Sequence, residues 1–321
     1  MDSSSHTQVL RSTGTMTLVK RAKAMARAAI AAPGVRHGLR WFIHQQAVPA
    51  PWRAFAHRRV AKWAVFAPDR SFQYASPEGI PLRFLHSGTS NYLYWLSEYE
   101  PETTTLFGRL ARSARTILDI GAADGVYTLL AAAANPEARI LAFEPGSAAA
   151  HTCRTNIALN APRTGRVELH ELALGDEDDE VTLYIAGVTG GNSSLNPEFR
   201  SNRAEETITV RRGDRLLAEL RVEHVDLIKV DTESTEPAVL RGLRGILERD
   251  RPDVICEVLR GRTETELEEI LRPLGYTFFQ VEADRLVRRA SIQADATYRR
   301  PNYLFTRRTE GELAERGLVI V

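Results

Sequence analysis

The stretch Thr116-Ile117-Leu118-Asp119-Ile120-Gly121-Ala122-Ala123-Asp124-Gly125-Val126-Tyr127-Thr128 decides the fold. Ile117-Leu118-Asp119-Ile120 is a short apolar run of the kind buried in a sheet, and it stops at Gly121. Gly125 opens a second run, Val126 to Ala134, with the composition of a helix. Strand, glycine turn and helix, in that order, begin a nucleotide-type site. There the backbone approaches a ligand closely, and a side chain at the turn would be in the way. Ile140-Leu141-Ala142-Phe143-Glu144 reads as the next strand and ends in a carboxylate 23 residues beyond Gly121. At that spacing an acidic side chain meets the two hydroxyls of an adenosine ribose.

A dinucleotide turn needs a middle glycine to cradle a pyrophosphate, and here that position is Ala123. No cation lies between Gly121 and Gly125, and Asp124 is read as repelling a phosphate. The turn therefore suits an adenosyl ligand with no phosphate and a positive centre, which describes S-adenosylmethionine. In this reading Asp119 faces its ammonium group, Gly121, Ala122 and Gly125 form the cradle, and Glu144 holds the ribose. Ala173 and Leu174, after the third strand, fall where an adenine edge would rest. An oxidoreductase using NAD and an α/β turn with no ligand are the alternatives.

Working outward, a charge asymmetry hides beneath the formal net charge of +1. Residues 3–68 hold eleven Lys or Arg and no Asp or Glu, leaving 31 basic against 41 acidic residues elsewhere. That is a basic arm on an acidic body. Its alanine-rich segment from Leu18 to Ile30 and its aromatic residues suggest contact with an anionic membrane surface or an acidic carrier through residues 16–62. A helical cap with solvated charges is the plainer reading. No zinc-ligand, RNP-like or recognition-helix pattern points to nucleic acid. The two cysteines, Cys153 and Cys256, cannot make a disulfide framework and read as core thiols. With no bilayer-length apolar run and no secretory signal order, the expected location is cytoplasmic, peripheral at the membrane if the arm binds lipid.

Residues 1–15 read as a disordered tail and 16–97 as the basic, largely helical arm with a short hairpin around Pro77-Glu78-Gly79. The stretch from Asn91 to Leu110 reads as helical, interrupted at 99–102. Residues 98–321 read as the cofactor-binding domain. Strands near 116–120, 139–144, 166–171, 225–230 and 253–258 alternate with helices, giving a parallel sheet covered on both faces. Strands at 277–281 and 302–306 follow without a helix between them and should pair antiparallel. The expected fold class is α/β, a Rossmann-like sheet, mostly parallel with an antiparallel last strand, plus the N-terminal helical arm.

From about Glu98 to Phe305 the chain resembles the FkbM-type methyltransferases. The resemblance rests on Asp119-Ile120-Gly121-Ala122, Phe143-Glu144-Pro145, Asn156 to Asn160, Ala173-Leu174-Gly175-Asp176 and Ser193-Ser194-Leu195. It rests above all on the block from Val225 to Pro237, with Leu240-Arg241-Gly242 and Cys256-Glu257-Val258 after it. Two departures stand out: the family usually has Asn where this chain has Ala123, and Gly where it has Ser234. The second costs little at negative φ but changes the loop at positive φ. The resemblance implies a class I methyltransferase sheet and O-methylation of a hydroxylated small-molecule or glycan acceptor by S-adenosylmethionine. A non-catalytic, membrane-associated cofactor-binding scaffold is the third reading.

Hydroxyl methylation needs a base near the acceptor and water kept out. Asp231, with Glu233 assisting, is expected to position or deprotonate it. Asn192, Ser193 and Ser194 would close over it from a Gly-rich loop, and Tyr99-Glu100 would line the mouth. His86, His170 and His224 are alternative bases. If a divalent cation took part, which is not expected, Asp231, Glu233 and Glu257 would be its ligands.

Overall fold

The computed structural model describes residues 70–87, 89–161, 163–186, 193–194, 203–283 and 285–321, with Val35 and Gly38. The expected tail, residues 16–69 of the basic arm apart from Val35 and Gly38, and Asn192 lie outside the described residues.

A hairpin of β1 (Ser71–Ala75) and β2 (Pro81–Leu85) leads to α1 (Ser90–Leu96) and α2 (Pro101–Ala111). Alternation then begins: β3 (Thr116–Ile120), α3 (Val126–Ala134), β4 (Arg139–Phe143), α4 (Ser147–Leu159) and β5 (Val167–His170). A second group comprises β6 (Ala173–Gly175), β7 (Asp179–Ala186), β8 (Ser193–Ser194), β9 (Arg203–Arg212) and α5 (Gly213–Glu219). The chain continues as β10 (Leu227–Val230), α6 (Glu236–Gly242), α7 (Arg244–Arg249), β11 (Asp253–Glu257) and α8 (Glu264–Leu271). It ends in β12 (Thr277–Glu282), β13 (Arg285–Arg289), β14 (Asn302–Thr306) and α9 (Glu310–Glu315).

The main sheet has eight strands in the order β13-β12-β14-β11-β10-β3-β4-β5. It is parallel from β5 to β11, after which β14 enters antiparallel between β11 and β12. Burial on both faces explains why its strands read as unbroken apolar runs. Ile117, Leu227, Ile255 and Leu304 join one hydrophobic cluster with Phe107 and Leu130. Leu118, Ile228, Val254 and Phe305 join another with Leu240, Leu247 and Leu267. This is the Rossmann-like, mostly parallel sheet that the sequence reading expects.

Three features depart from the sequence reading or extend it. The hairpin and α1 were grouped with the arm, yet Phe72, Phe84, Leu93 and Trp95 pack into the same cluster as Ile117. The apolar face from Val239 to Leu247 is split between α6 and α7 at Leu243. And β13, Arg-Leu-Val-Arg-Arg, adds a last strand that its arginines obscure in the sequence; its outer edge is covered by the C-terminal residues, Leu286 N donating to Val319 O and Arg288 N to Val321 O. A separate four-stranded sheet, β6-β9-β7-β8, lies beyond β5 in the chain. It is tied back at Gly242, where a Cβ would stand 1.8 Å from the Gly175 carbonyl oxygen, and by Arg241 Nε donating to Asp176 Oδ2 at 2.8 Å.

Candidate active site

The adjacent parallel strands β3 and β10 both release the chain at the carboxyl edge of the sheet, the place where open α/β sheets bind ligands. The turn after β3 carries Gly121 at φ +84°, Ala123 at +50° and Gly125 at +84°. A Cβ at Gly121 would sit 1.9 Å from the backbone oxygen of Asp231, so the two turns touch through main chain and only glycine fits. The N–H groups of Gly121 and Ala122 donate to Phe143 O, and that of Gly125 donates to Ala122 O. The Ala123 N–H donates to Glu144 Oε2 at 2.8 Å. A pyrophosphate cradle needs such groups pointing at the ligand; here they are spent within the protein.

Asp124 is corrected by the structure. It does not face the turn's ligand side as a phosphate-repelling charge. Its carboxylate is buried, accepting from Ser87 Oγ at 2.8 Å and Ser90 N at 2.6 Å, and so ties the start of α1 to the turn. The case against a dinucleotide rests on the engaged amides instead.

Glu144 lies at the end of β4, 7% exposed, with Oε1 accepting from Gly146 N at 2.9 Å and Oε2 from Ala123 N. Each carboxylate oxygen has a second lone pair, so both remain able to accept from a ribose diol. Burial raises its pKa to about 7, against the pull of those two amides. Asp119 is buried beneath the turn and accepts from Thr128 Oγ1 at 2.5 Å; burial raises it to about 6. Ala122 turns its methyl inward against Ala142 and Cys153. Ala173 starts β6 half-buried, while Leu174 is sunk in the core with Leu118 and Leu240.

On β10 the alternation of the strand puts Leu227, Lys229 and Asp231 on one face. Lys229, fully buried, donates to Asp231 Oδ2 at 3.1 Å, and its ammonium lies 5.0 Å from the centre of the Tyr127 ring. An isolated buried ammonium would cost several kcal/mol; the neighbouring charges of Asp231 and Glu100 outweigh that burial and raise its pKa. Glu100 accepts from Tyr127 OH at 2.8 Å and from Asn302 Nδ2 at 3.1 Å. Burial raises its pKa, opposed first by Lys229. Lys229, Tyr127 and Asn302 carry no role in the sequence reading. The available signal was a lysine inside a strand otherwise Leu-Ile-Val.

The turn after β10 is built around Glu236, a fully buried carboxylate whose Oε1 accepts from Thr232 N, Thr232 Oγ1 and Ser234 N at 2.9, 3.1 and 3.3 Å. Glu233 and Ser234 follow at φ +55° and +93°. The departure at Ser234 therefore falls at positive φ, where a side chain is strained. Asp231 keeps a quarter of its side chain exposed.

Among the described residues no three His, Cys, Asp or Glu side chains are gathered to hold a metal ion. Asp231 gives one oxygen to Lys229. Burial, then the charges of Asp231 and Glu233, raise the pKa of Glu257 well above the usual carboxylate range.

The histidines are placed elsewhere or otherwise engaged. His86 is buried between the rings of Phe72 and Tyr94. His224 pairs with Asp226 and Asp250 just before the start of β10, at the opposite edge. His170 stacks on Phe143 at the end of β5. Ser193 and Ser194 form β8 against β7.

Residues 119–278 match the family model for the Methyltransferase FkbM domain. Methyltransferase 1 of Beauveria bassiana is 32% identical over 145 residues, which cover 40% of this chain and 57% of that protein. The 2-O-methyltransferase NoeI of Sinorhizobium fredii is 29% identical over 149 residues, covering 42% and 60%. The matches thus span less than two thirds of the length of these relatives. Among solved structures, Methyltransferase FkbM from Methylobacillus flagellatus aligns with a TM-score of 0.43 at 16% identity, over 68% of this chain and 53% of that one. Among the described residues, no helix is long and apolar enough to cross a membrane. By its domain at residues 119–278, the chain belongs to the FkbM methyltransferase family.

Proposed function

We propose that the protein transfers a methyl group from S-adenosylmethionine to a hydroxyl of a small-molecule or glycan acceptor. The observation that carries this reading is the turn after β3. The amides of Gly121, Ala122, Ala123 and Gly125 are engaged within the protein, Gly121 is pressed against Asp231, and two buried carboxylates, Asp119 and Glu144, flank the turn. That arrangement suits a phosphate-free ligand with hydroxyls and a positive charge. Glu144 would hold the ribose diol and Asp119 the ammonium group. The cofactor, when bound, supplies an activated methyl on sulfur, and this chain's residues orient the partners and exclude water.

Asp231 is the residue proposed to position the acceptor hydroxyl and take its proton, with Glu233 at the rim of the same turn. Lys229 fixes one carboxylate oxygen of Asp231, which leaves the other for the acceptor. The name of NoeI, a 2-O-methyltransferase, supports oxygen over nitrogen or carbon as the methylated atom.

Titration calorimetry with S-adenosylhomocysteine and NADH tests the cofactor: micromolar binding of the first and none of the second is expected, and the reverse sinks the reading. Methyl transfer from labelled cofactor into an acceptor panel tests the reaction. With an acceptor in hand, Asp231→Asn should lower kcat roughly 100-fold or more; near-native turnover across pH would remove Asp231 as the base.

A further inference from the structure

We infer that Lys229 and Glu100 set how this site discriminates a cationic adenosyl ligand from its neutral thioether, Lys229 weakening the preference for the cation and Glu100 strengthening it. The inference rests on S-adenosylmethionine being the cofactor.

The geometry follows from strand alternation. Ile117, Leu227, Ile255 and Leu304 all point into one cluster, so the residues two positions toward the carboxyl edge on β3, β10 and β11 share that face. So does Asn302, two positions before Leu304 on the antiparallel strand. Those residues are Asp119, Lys229, Glu257 and Asn302. Lys229 pairs in register with Asp119, and Glu257 with Asn302. Above this polar row sit Tyr127 from α3 and Glu100 from the entry to α2, joined by their hydrogen bond. Around the Lys229 ammonium, then, stand the carboxyls of Asp119, Asp231, Glu100 and Glu257.

This row borders the cradle. Asp231 N donates to Ile120 O at 2.9 Å, and Gly121 is pressed on the Asp231 carbonyl. A ligand seated on the Gly121 turn is therefore flanked by the Lys229–Asp231 pair. S-adenosylmethionine and S-adenosylhomocysteine differ by a methyl and one positive charge, carried on sulfur. In a water-poor site one unit charge weighs heavily on that difference. The carboxylates draw the sulfonium in, and the buried ammonium offsets part of that attraction. The balance keeps the neutral product from competing with the donor without locking the donor in place.

The test is the ratio Kd(S-adenosylhomocysteine)/Kd(S-adenosylmethionine), measured by calorimetry at pH 8 on the full chain. Lys229→Met should raise the ratio about tenfold and Glu100→Gln should lower it about fivefold, opposite signs from two neighbouring residues. Tyr127→Phe removes the hydrogen bond to Glu100 but no charge, and should leave the ratio within twofold. Ratios within twofold of wild type in both charge variants would overturn the inference, as would a Tyr127→Phe shift as large as that of Glu100→Gln. If Lys229→Met does not fold, Glu100→Gln against Tyr127→Phe still decides it. Wild-type protein that binds neither ligand would instead fell the cofactor reading, and this inference with it.

Discussion

The turns after β3 and β10 lie side by side, and each is held by a buried glutamate that binds backbone N–H groups. They solve the same problem differently. The first uses glycine at two of its three left-handed positions, and its staple, Glu144, comes from the neighbouring strand β4. The second puts Glu233 and Ser234 at left-handed φ, and its staple, Glu236, comes from the helix that the turn itself begins. The first can approach a ligand and the adjacent backbone. The second keeps its side chains, as the proposed acceptor role of Asp231 requires. Strain of this kind is tolerated where surrounding bonds over-determine the backbone.

The largest effect should come from breaking the contact between the turns. Gly121→Ala places a methyl against a main-chain oxygen that no rotamer can move, at a φ that disfavours any side chain. A cost on the order of 3 kcal/mol or more is expected, together with loss of S-adenosylhomocysteine binding. Chemical denaturation and calorimetry measure the two. A variant that binds normally would mean the turns are free to part.

The staples should respond unequally to amide substitution. Both oxygens of Glu144 accept N–H bonds, so Glu144→Gln must set an NH2 group against an N–H. A loss of about 2 kcal/mol in stability is expected, with weaker S-adenosylhomocysteine binding by at least tenfold. In Glu236 one oxygen takes all three bonds while the other is buried with no partner. A glutamine keeps the three bonds with its carbonyl, so Glu236→Gln should cost less than about 1 kcal/mol. Equal losses would show that the charge, not the bond pattern, holds both turns.

A pH series sharpens the contrast further. Burial raises Glu144 to about 7 and Asp119 to about 6. The folded state therefore binds these protons more tightly than the unfolded chain does. Their contribution to stability is full below the unfolded carboxyl range and is lost as pH rises through 6 and 7. Ligand affinity should run the other way, because the diol and the ammonium call for ionised carboxylates. S-adenosylhomocysteine binding should strengthen between pH 5.5 and 7.5 and level off above pH 8, with proton release on binding below pH 7. In Glu144→Gln the part of this slope near pH 7 should vanish; an unchanged slope would place the titrating group elsewhere.

Much of the first turn was legible in the sequence, because its chemistry is written in residue types. Glycine marks a backbone that must come close, and the carboxylate read at a strand end, Glu144, is found there, bonded to the turn. The central strands were equally plain, since burial on both faces leaves only apolar choices. The second turn was half-legible: Asp231 and Glu233 stood out as acids, but which acid faces a ligand and which one staples backbone depends on three-dimensional contacts. Asp124 was misread for that reason, since a charge in a turn says nothing about which way it points. Lys229, inside the block from Val225 to Pro237, carried no role in the sequence reading, because its meaning comes from Asp231 and from Glu100, more than a hundred residues away. The meeting of Ala173-Leu174-Gly175-Asp176 with Leu240-Arg241-Gly242 was hidden in the same way. Each looked like a separate motif until Gly175 touched Gly242 and Asp176 met Arg241.

The smallest predicted effects test whether the strain in the two turns serves anything. At Ala123 and Ser234 this chain departs from the Asn and Gly usual in FkbM-type relatives, and both positions are left-handed. Asn and Gly tolerate that region better than alanine or serine do. Ser234 also buries a hydroxyl oxygen with no hydrogen-bond partner, so Ser234→Gly removes two costs at once. Restoring the family residues should stabilise the fold by about 0.5–1 kcal/mol each, a rise of roughly 1–2 °C in Tm for a chain of this size. Their effects on ligands should then separate. Ala123→Asn lies beside Glu144 and should change the affinity for S-adenosylhomocysteine. Ser234→Gly lies beyond Asp231 and should leave that affinity alone, changing only the KM for the acceptor. If both variants move the same quantity, the two turns act as one unit and the division between donor side and acceptor side is lost.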